Sequence, residues 1–200
     1  MRQLALLFFV FFLQLLVFSQ NGDIDLLRKI NLNRNKKLDN TFVFISNSVT
    51  PVSILAPVSV FCEGYTKHDS LLRNKGLFIG ATLLVSGGIT LGLKYSVNRP
   101  RPFTTYPDIE KISDAGSKSF PSGHTSDAFA TATSLSLAFP KWYVIAPSFV
   151  WACSVGYSRM DLGVHYPSDV LAGAVIGAGS AFICYKANQW LHARKQGKYF

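Results

Sequence analysis

Apolar residues gather in five runs along the chain, separated by short polar segments. The runs cover residues 45–62, 77–95, 124–139, 142–157 and 170–185. Each has roughly 16–19 residues, whereas a membrane helix usually needs about 20, within a range of about 17–25. Their Gly, Ala and Ser content suits close packing between membrane helices. The pattern predicts an all-α fold, a membrane-embedded bundle of about five to six helices. The short runs leave a soluble all-α domain open as the alternative.

The first 44 residues follow a different pattern. In residues 1–19, Arg2 precedes an apolar stretch that ends in Val-Phe-Ser, the arrangement of a secretory signal peptide with its cleavage site. An uncleaved anchor helix is the alternative, and either one sends residue 21 across the membrane. Residues 20–44 are polar, with Ile24, Leu27 and Ile30 at helical spacing. They predict a short amphipathic helix at the membrane surface, whose charges form a solvated face. Residues 45–200 then form the main domain.

Composition agrees with a membrane protein. The chain is 48% hydrophobic and 16% charged, against about 25% charged residues in soluble domains. The net charge of +9 would fit a nucleic-acid partner, but no basic face interleaved with aromatic residues is present, so no nucleic-acid binding is expected. The cysteines lie in or beside apolar runs without metal-site or redox spacing, and are expected to be small buried hydrophobes. They are Cys62, Cys153 and Cys184.

Charge also predicts a topology. With residue 21 outside, the segment 66–76 and the C-terminal end fall inside, and both are rich in Lys and Arg, in agreement with the positive-inside rule. Five basic residues within 28–37 run against that rule. Three polar segments then share the outer face: the end of run 77–95, the segment before residue 124, and residues 158–169.

Two of these polar segments carry residues suited to an anion. "KYSVNRPRP" contains Lys94 and Arg101, and a guanidinium matches phosphate oxygens with paired donors. Snorkelling at a helix end is the alternative interpretation. "FPSGH" leads into a helix whose first N–H groups favour an anion, with His124 in the first turn. An ordinary helix cap with an unrelated histidine is the alternative there.

The third segment, "SRMDLGVHYPSD", adds Arg159, His165 and Asp169. A carboxylate can hold one imidazole nitrogen and leave the other free to attack. A loop histidine beside a helix-capping aspartate is the alternative. Because all three segments fall on one predicted face, they predict an active site for a phosphate group at one face of the membrane.

In this order, the three motifs closely resemble those of the type 2 phosphatidic acid phosphatase superfamily. The resemblance implies that His165 attacks phosphorus and forms a phosphohistidine, that Asp169 orients it, and that His124 acts first as acid and then as base. It also implies a set of residues that binds the phosphate oxygens: Lys94, Arg101, Ser122, Gly123 and Arg159. The arginines of "RPRP" are both expected to contribute charge that holds a phosphate. No metal or other cofactor is implied.

The resemblance implies a membrane lipid phosphate as the substrate, with undecaprenyl diphosphate, lipid A, phosphatidylglycerol phosphate and phosphatidic acid all open. Residues 103–119 are expected to contribute to selectivity. We expect an integral membrane protein, of the inner membrane in a bacterium, with its site facing the periplasm or exterior. A secreted soluble acid phosphatase of the same superfamily and a non-catalytic phospholipid-binding protein are alternatives. A vanadium-dependent haloperoxidase shares the motifs, but this chain is short and apolar for one.

Overall fold

The computed structural model describes residues 22–116 and 118–195, with side chains as far as Leu191. The predicted signal peptide or anchor, residues 1–19, lies outside the described residues. A 3-10 turn covers Lys36–Leu38. The helices are α1 (22–32), α2 (Asp39–Asn47), α3 (Val49–Thr66), α4 (Ser70–Val97), α5 (Pro102–Thr105), α6 (Gly123–Ala138), α7 (Trp142–Asp161) and α8 (Pro167–Lys195). The described part of the chain contains no strand, and the predicted all-α bundle is confirmed.

Three stretches are long and apolar enough to cross a membrane. They are Lys36–Thr66, Ser70–Thr105 and Pro167–Leu191. The first contains the predicted run 45–62, which Ser48 divides between α2 and α3. The predicted runs 124–139 and 142–157 are indeed helical, as α6 and α7. These two helices are not among the candidate spans. Helix α6 has 16 residues, too few for a candidate span, and polar residues lower the mean hydropathy of α7.

The bundle is apolar outside and polar inside. Leu84 is 81% exposed and Phe44 is 75% exposed, whereas Ser86 and Ser126 are fully buried. Lipid chains solvate the exposed apolar side chains, so apolar character does not drive a residue inward here. The expectation of buried cysteines is therefore wrong for Cys62 and Cys153, which are exposed.

Helix α6 lies at the centre of the bundle and packs against α3, α4, α7 and α8. Its buried hydroxyls pair with hydroxyls of its neighbours. The Ser126 Oγ lies 2.7 Å from the Ser86 Oγ and 2.9 Å from the Thr90 Oγ1, and the Thr131 Oγ1 lies 3.0 Å from the Ser53 Oγ. Buried polar groups need such partners where no water can reach them.

Helices α6 and α8 approach each other at two glycines of α8. A Cβ at Gly173 would lie 2.6 Å from the Ser122 carbonyl oxygen, and one at Gly177 would lie 2.2 Å from that of Ser126. At the start of both helices, the Ser122 N–H donates to the Asp169 carbonyl at 3.0 Å. The two helices therefore begin side by side, at the end of the bundle where α4 and α7 finish.

Helix α1 packs over this end of the bundle. Ile24 and Leu27 are buried against Ile109 and Tyr166. The buried Asn31 amide donates to the Asp161 carbonyl at 2.8 Å. The amphipathic helix predicted here is present, with Ile24 and Leu27 packed against protein.

The interpretation of the charges of this N-terminal segment as a solvated face is wrong for two residues. Asp23 and Arg34 are both buried. Arg34 pairs with Asp39 and with Glu110, whose pKa is lowered by Arg34 first and by Lys36 second. The segment is thus fastened by ion pairs to the loop that follows α5.

The close approach of α6 and α8 can be tested with a pair of glycines. We expect Gly177→Ala to lower the free energy of unfolding, because overpacking a tight contact costs about 1–3 kcal/mol. Gly179→Ala is the matched control, since a Cβ there meets nothing within 4 Å. Thermal unfolding in detergent measures both variants. Equal midpoints for the two would contradict the contact.

Candidate active site

Lys94 lies in the last turn of α4 and reaches toward the start of α6. Its Nζ donates to the Pro121 carbonyl at 2.8 Å and to the Lys118 carbonyl at 3.3 Å. Both partners are neutral, and no carboxylate pairs with Lys94 among the described residues. The ammonium charge therefore stays available to an anion.

Ser122 begins helix α6. It is buried, has extended backbone angles, and its Oγ accepts from the Thr125 N–H at 3.4 Å and contacts the Thr125 Oγ1 at 2.8 Å. This cap places Gly123 and His124 in the first turn, where helix N–H groups lack partners within the helix. His124 lies within electrostatic range of the cations Lys94, Arg101 and Arg159.

His165 and Asp169 meet at the start of α8. The His165 Nδ1 lies 3.4 Å from the Asp169 Oδ2, and both side chains are buried. The same carboxylate oxygen accepts from the Tyr166 N–H at 3.1 Å and from the Ser119 hydroxyl. The sequence interpretation of Asp169 as the partner of His165 therefore agrees with the arrangement of the two side chains.

Arg101 determines which nitrogen of His165 carries the proton. Its Nη1 lies 3.1 Å from the His165 Nε2 and donates to the Val164 carbonyl at 2.7 Å. A guanidinium has donors only, so the facing Nε2 must be the acceptor. The proton then sits on Nδ1, toward Asp169, and the lone pair of Nε2 accepts from Arg101.

Arg159 brings a further cation from the last turn of α7. It is buried, and its Nη1 donates to the Ser46 hydroxyl of α2. Its Nε has no hydrogen-bond partner among the described residues. An unpartnered buried N–H beside two other cations suits an incoming anion.

Arg99 does not have the role that the sequence predicted for it. It was expected to add charge for a phosphate, but its guanidinium pairs with Asp169 at 2.7 Å and with Asp23 at 2.8 Å. It also stacks over the Tyr166 ring at 3.7 Å from the centroid. Two carboxylates thus neutralise Arg99, and of the "RPRP" arginines only Arg101 faces the imidazole.

Three residues beside Asp169 were missed by sequence reasoning. Ser119 bonds its carboxylate, and Asp23 bonds both the N–H and the hydroxyl of Ser168. Arg99, the first arginine of "RPRP", was the one signal in the sequence, since a charge inside an otherwise apolar region needs a partner. The partners lie about 70 or more residues away, beyond the reach of any local pattern.

Burial controls the protonation of His165. It lowers the pKa of the imidazole to about 3, the hydrogen bond to Asp169 opposes this only in part, and repulsion from Arg101 adds to it. The imidazole is therefore neutral at ordinary pH, as a nitrogen nucleophile must be. A cavity of about 220 Å³ opens beside Arg101, and its lining residues are Leu91, Lys94, Tyr95, Arg101, Gly116 and Lys118.

Fold and site together define a membrane-embedded helical bundle with a cluster of cations around a neutral histidine. Comparison with known families agrees with that description, since the PAP2 superfamily matches residues 75–193. The chain belongs to the PAP2 superfamily. Helices α1, α2 and α3 lie outside the matched range.

Individual relatives agree with this family. The chain is 35% identical over 172 residues to "Lipid phosphate phosphatase 1" of Arabidopsis thaliana, covering 70% of this chain and 53% of the relative. It is 32% identical over 169 residues to "Undecaprenyl-diphosphatase" of Sulfolobus acidocaldarius, covering 80% and 76%. The chain spans about half the length of the plant relative.

A solved structure has the same fold. The transmembrane PAP2 type phosphatidylglycerolphosphate phosphatase of Bacillus subtilis superimposes with a TM-score of 0.71 at 26% identity, covering 90% of this chain and 94% of that one.

The neutral state of His165 predicts a pH dependence of stability. The unfolded chain binds a proton near the ordinary histidine pKa of about 6.5, whereas the folded protein binds it only near pH 3. Stability therefore falls as the pH falls from about 6.5 toward 3, with a slope approaching 1.4 kcal/mol per pH unit.

We expect His165→Asn to remove this contribution. Thermal unfolding of both proteins in detergent, measured in steps from pH 7.5 to pH 4.5, gives the difference in stability between them. That difference should shift in favour of the variant as the pH falls. A difference that does not change with pH would contradict a neutral buried His165.

Proposed function

We propose that this chain is a phosphatase that hydrolyses a phosphomonoester or diphosphate of a membrane lipid through a phosphohistidine intermediate. The observation that carries the proposal is the pair of contacts on the His165 ring. Asp169 takes the Nδ1 side at 3.4 Å, and Arg101 faces Nε2 at 3.1 Å. Asp169 holds the Nδ1 proton, and the Nε2 lone pair is freed for attack when Arg101 turns its N–H from Nε2 to a phosphate oxygen.

In the first step, the His165 Nε2 attacks phosphorus while the bond from phosphorus to the lipid oxygen breaks. His124 donates a proton to the leaving oxygen, so the lipid departs as an alcohol, or as a lipid monophosphate from a diphosphate. The positive charge that develops on the imidazole is balanced by Asp169. The product is a phosphohistidine.

In the second step, water attacks the phosphohistidine. His124, now a base, takes a proton from the water, and the bond between phosphorus and Nε2 breaks. Inorganic phosphate leaves and His165 returns to its neutral form. The acid of the first step is therefore the base of the second.

Charge on the phosphate oxygens is stabilised by Lys94, Arg101 and Arg159, aided by the Ser122 cap and the Gly123 N–H at the start of α6. Preorganised donors in a site shielded from water are the largest contribution to many enzymatic rates. Three fixed cations do the electrostatic work that a metal ion does elsewhere. We therefore propose turnover without a divalent ion.

The substrate is proposed to be a lipid with its phosphate at the membrane edge. The site lies at one end of a bundle whose sides expose large apolar residues, so a lipid would reach it with its chains still in the bilayer. The names of the relatives support this class, since they refer to lipid phosphates and undecaprenyl diphosphate. A soluble acid phosphatase does not fit the exposed apolar surface.

The site is proposed to face the periplasm or exterior. The basic residues at the opposite end of the bundle support this orientation, because Lys and Arg favour the cytoplasmic side. They are Lys67 in the turn after α3, Arg73 and Lys75 near the start of α4, and Lys141 in the turn after α6.

The nucleophile is tested by substitution. We expect His165→Ala to abolish phosphate release from a panel of phosphatidic acid, phosphatidylglycerol phosphate, undecaprenyl diphosphate and lipid A. Rapid acid-free quenching of wild-type protein should trap a phosphoenzyme with a base-stable, acid-labile linkage. All assays contain EDTA, because the proposed mechanism uses no metal.

His68→Asn is the control for this experiment, since it removes an exposed imidazole from the turn between α3 and α4. It should retain wild-type turnover. Activity of His165→Ala at the wild-type level would exclude the proposed nucleophile. Loss of all wild-type activity in EDTA, restored by Mg²⁺, would contradict the metal-free mechanism. Binding of these lipids without any turnover would favour a non-catalytic protein.

The orientation is tested by labelling single cysteines. Asp114 is exposed at the site end, and Lys67 is exposed at the opposite end. In a background without the three native cysteines, a membrane-impermeant thiol reagent should label Asp114→Cys in intact cells or spheroplasts. Lys67→Cys should react only after permeabilisation. The reverse pattern would place the site in the cytoplasm.

A further inference from the structure

Helix α1 lies outside the range matched by the family, yet one of its side chains is tied to the active site. Asp23 is buried, with 7% of its side chain exposed. One carboxylate oxygen accepts from the Ser168 N–H at 2.8 Å, and the other accepts from the Ser168 hydroxyl and from the Arg99 Nη2 at 2.8 Å. Asp23 therefore contacts two segments that lie about 75 and 145 residues further along the chain.

Arg99 carries this contact on to Asp169. Its Nη1 donates to the Asp169 Oδ1 and to the Ser168 hydroxyl, both at 2.7 Å, while its Nη2 holds Asp23. A planar guanidinium can bridge two carboxylates in this way, and the Tyr166 ring beneath it at 3.7 Å limits its rotation. Arg99 is thus fixed from three directions.

The two oxygens of Asp169 have separate partners. Oδ1 takes Arg99, whereas Oδ2 takes Ser119, the Tyr166 N–H and the His165 Nδ1. Because Arg99 occupies Oδ1, the carboxylate cannot rotate that oxygen toward the imidazole. The orientation of the His165 ring therefore depends on Arg99, and the orientation of Arg99 depends on Asp23.

We propose that Asp23 and Arg99 are positioning residues for the nucleophile. Helix α1, which carries Asp23, therefore helps to orient His165. This inference rests on the proposed role of His165. Asp23 fixes Arg99, Arg99 fixes Asp169, and Asp169 fixes the tautomer and direction of His165.

This role is separable from the docking of α1. The helix is also held by Ile24 and Leu27, which are buried against Tyr166 and Ile109. Asn31 adds hydrogen bonds to the carbonyls of Glu110 and Asp161 at 3.0 and 2.8 Å. Removing the charge of Asp23 alone leaves these contacts in place.

The test begins with Asp23→Asn, which keeps the size of the side chain and an acceptor for the Ser168 N–H but removes the charge that holds Arg99. We expect kcat for a short-chain lipid phosphate to fall about tenfold to a hundredfold. This range is typical when a functional residue loses a hydrogen-bonding partner that does not itself contact the substrate. KM should stay within about twofold, because the phosphate-binding cations are unchanged. The rate of phosphoenzyme formation should fall by the same factor as kcat.

Asp25→Asn is the matched control. Asp25 lies two residues further along α1, its side chain is 64% exposed, and its contact is a 3.6 Å ion pair with Arg28. It should turn over at the wild-type rate. A similar loss in both variants would show a general effect of charge on α1 and would overturn the inference.

Arg99→Gln provides the second variant. If Asp23 acts through Arg99, the double variant Asp23→Asn/Arg99→Gln should be no slower than Arg99→Gln alone. Arg99→Lys should not restore the rate, because an ammonium cannot bridge Asp23, Ser168 and Asp169 together. Effects that multiply in the double variant would overturn the proposed chain of contacts. A rise in KM with unchanged kcat in Arg99→Gln would instead assign Arg99 to substrate binding.

The outcomes separate this inference from the proposed function. Activity that survives His165→Ala defeats both. An inactive His165→Ala together with wild-type kcat in Asp23→Asn and Arg99→Gln defeats this inference alone. Thermal unfolding of each variant in detergent confirms that it is folded. If Asp23→Asn does not fold, the kcat and KM of Arg99→Gln decide the question.

Discussion

The backbone contact between α6 and α8 is the constraint on which the site depends. Because Gly173 and Gly177 carry no side chain, the two helices approach closely enough for Ser122 to bond the backbone of Asp169. That single junction joins the segment containing His124 to the segment containing His165, which are separated by 40 residues of sequence. Helices α4 and α7 then need only to end at this junction for their cations to reach it.

The basic residues of the site divide into two groups, those that pair with carboxylates and those that contact only neutral groups. Arg99 is neutralised by Asp23 and Asp169. Lys94, Arg101 and Arg159 instead have carbonyls, a hydroxyl and an imidazole as partners, and none pairs with a carboxylate within the described ranges. A cation surrounded by neutral groups keeps its attraction for an anion. The same residue types therefore serve to hold the structure together in one place and to attract phosphate in another.

How far the sequence predicts this protein depends on the range over which each interaction acts. Lys94 and Arg101 were predictable because both sit at the end of one apolar run, and His165 and Asp169 because four residues separate them. The pairing of Arg99 with Asp23 was not, since it requires α1 to fold over α8. The burial of cysteines was mispredicted for a different reason. The lipid around α3 and α7 solvates Cys62 and Cys153, so hydrophobicity no longer indicates the interior.

The hydroxyl-rich surface of α6 has a consequence for how the protein enters a bilayer. Ser126, Thr131 and Ser134 are buried only because other helices cover them, and α6, with 16 residues, is too short to rank among the candidate spans. Three residues separate its last turn from α7. Insertion would therefore bring in α6 and α7 as a hairpin, with α6 shielded by α4 as it leaves the translocation machinery. The composition of α6, the helix that carries His124, thus sets the order in which the helices enter the bilayer.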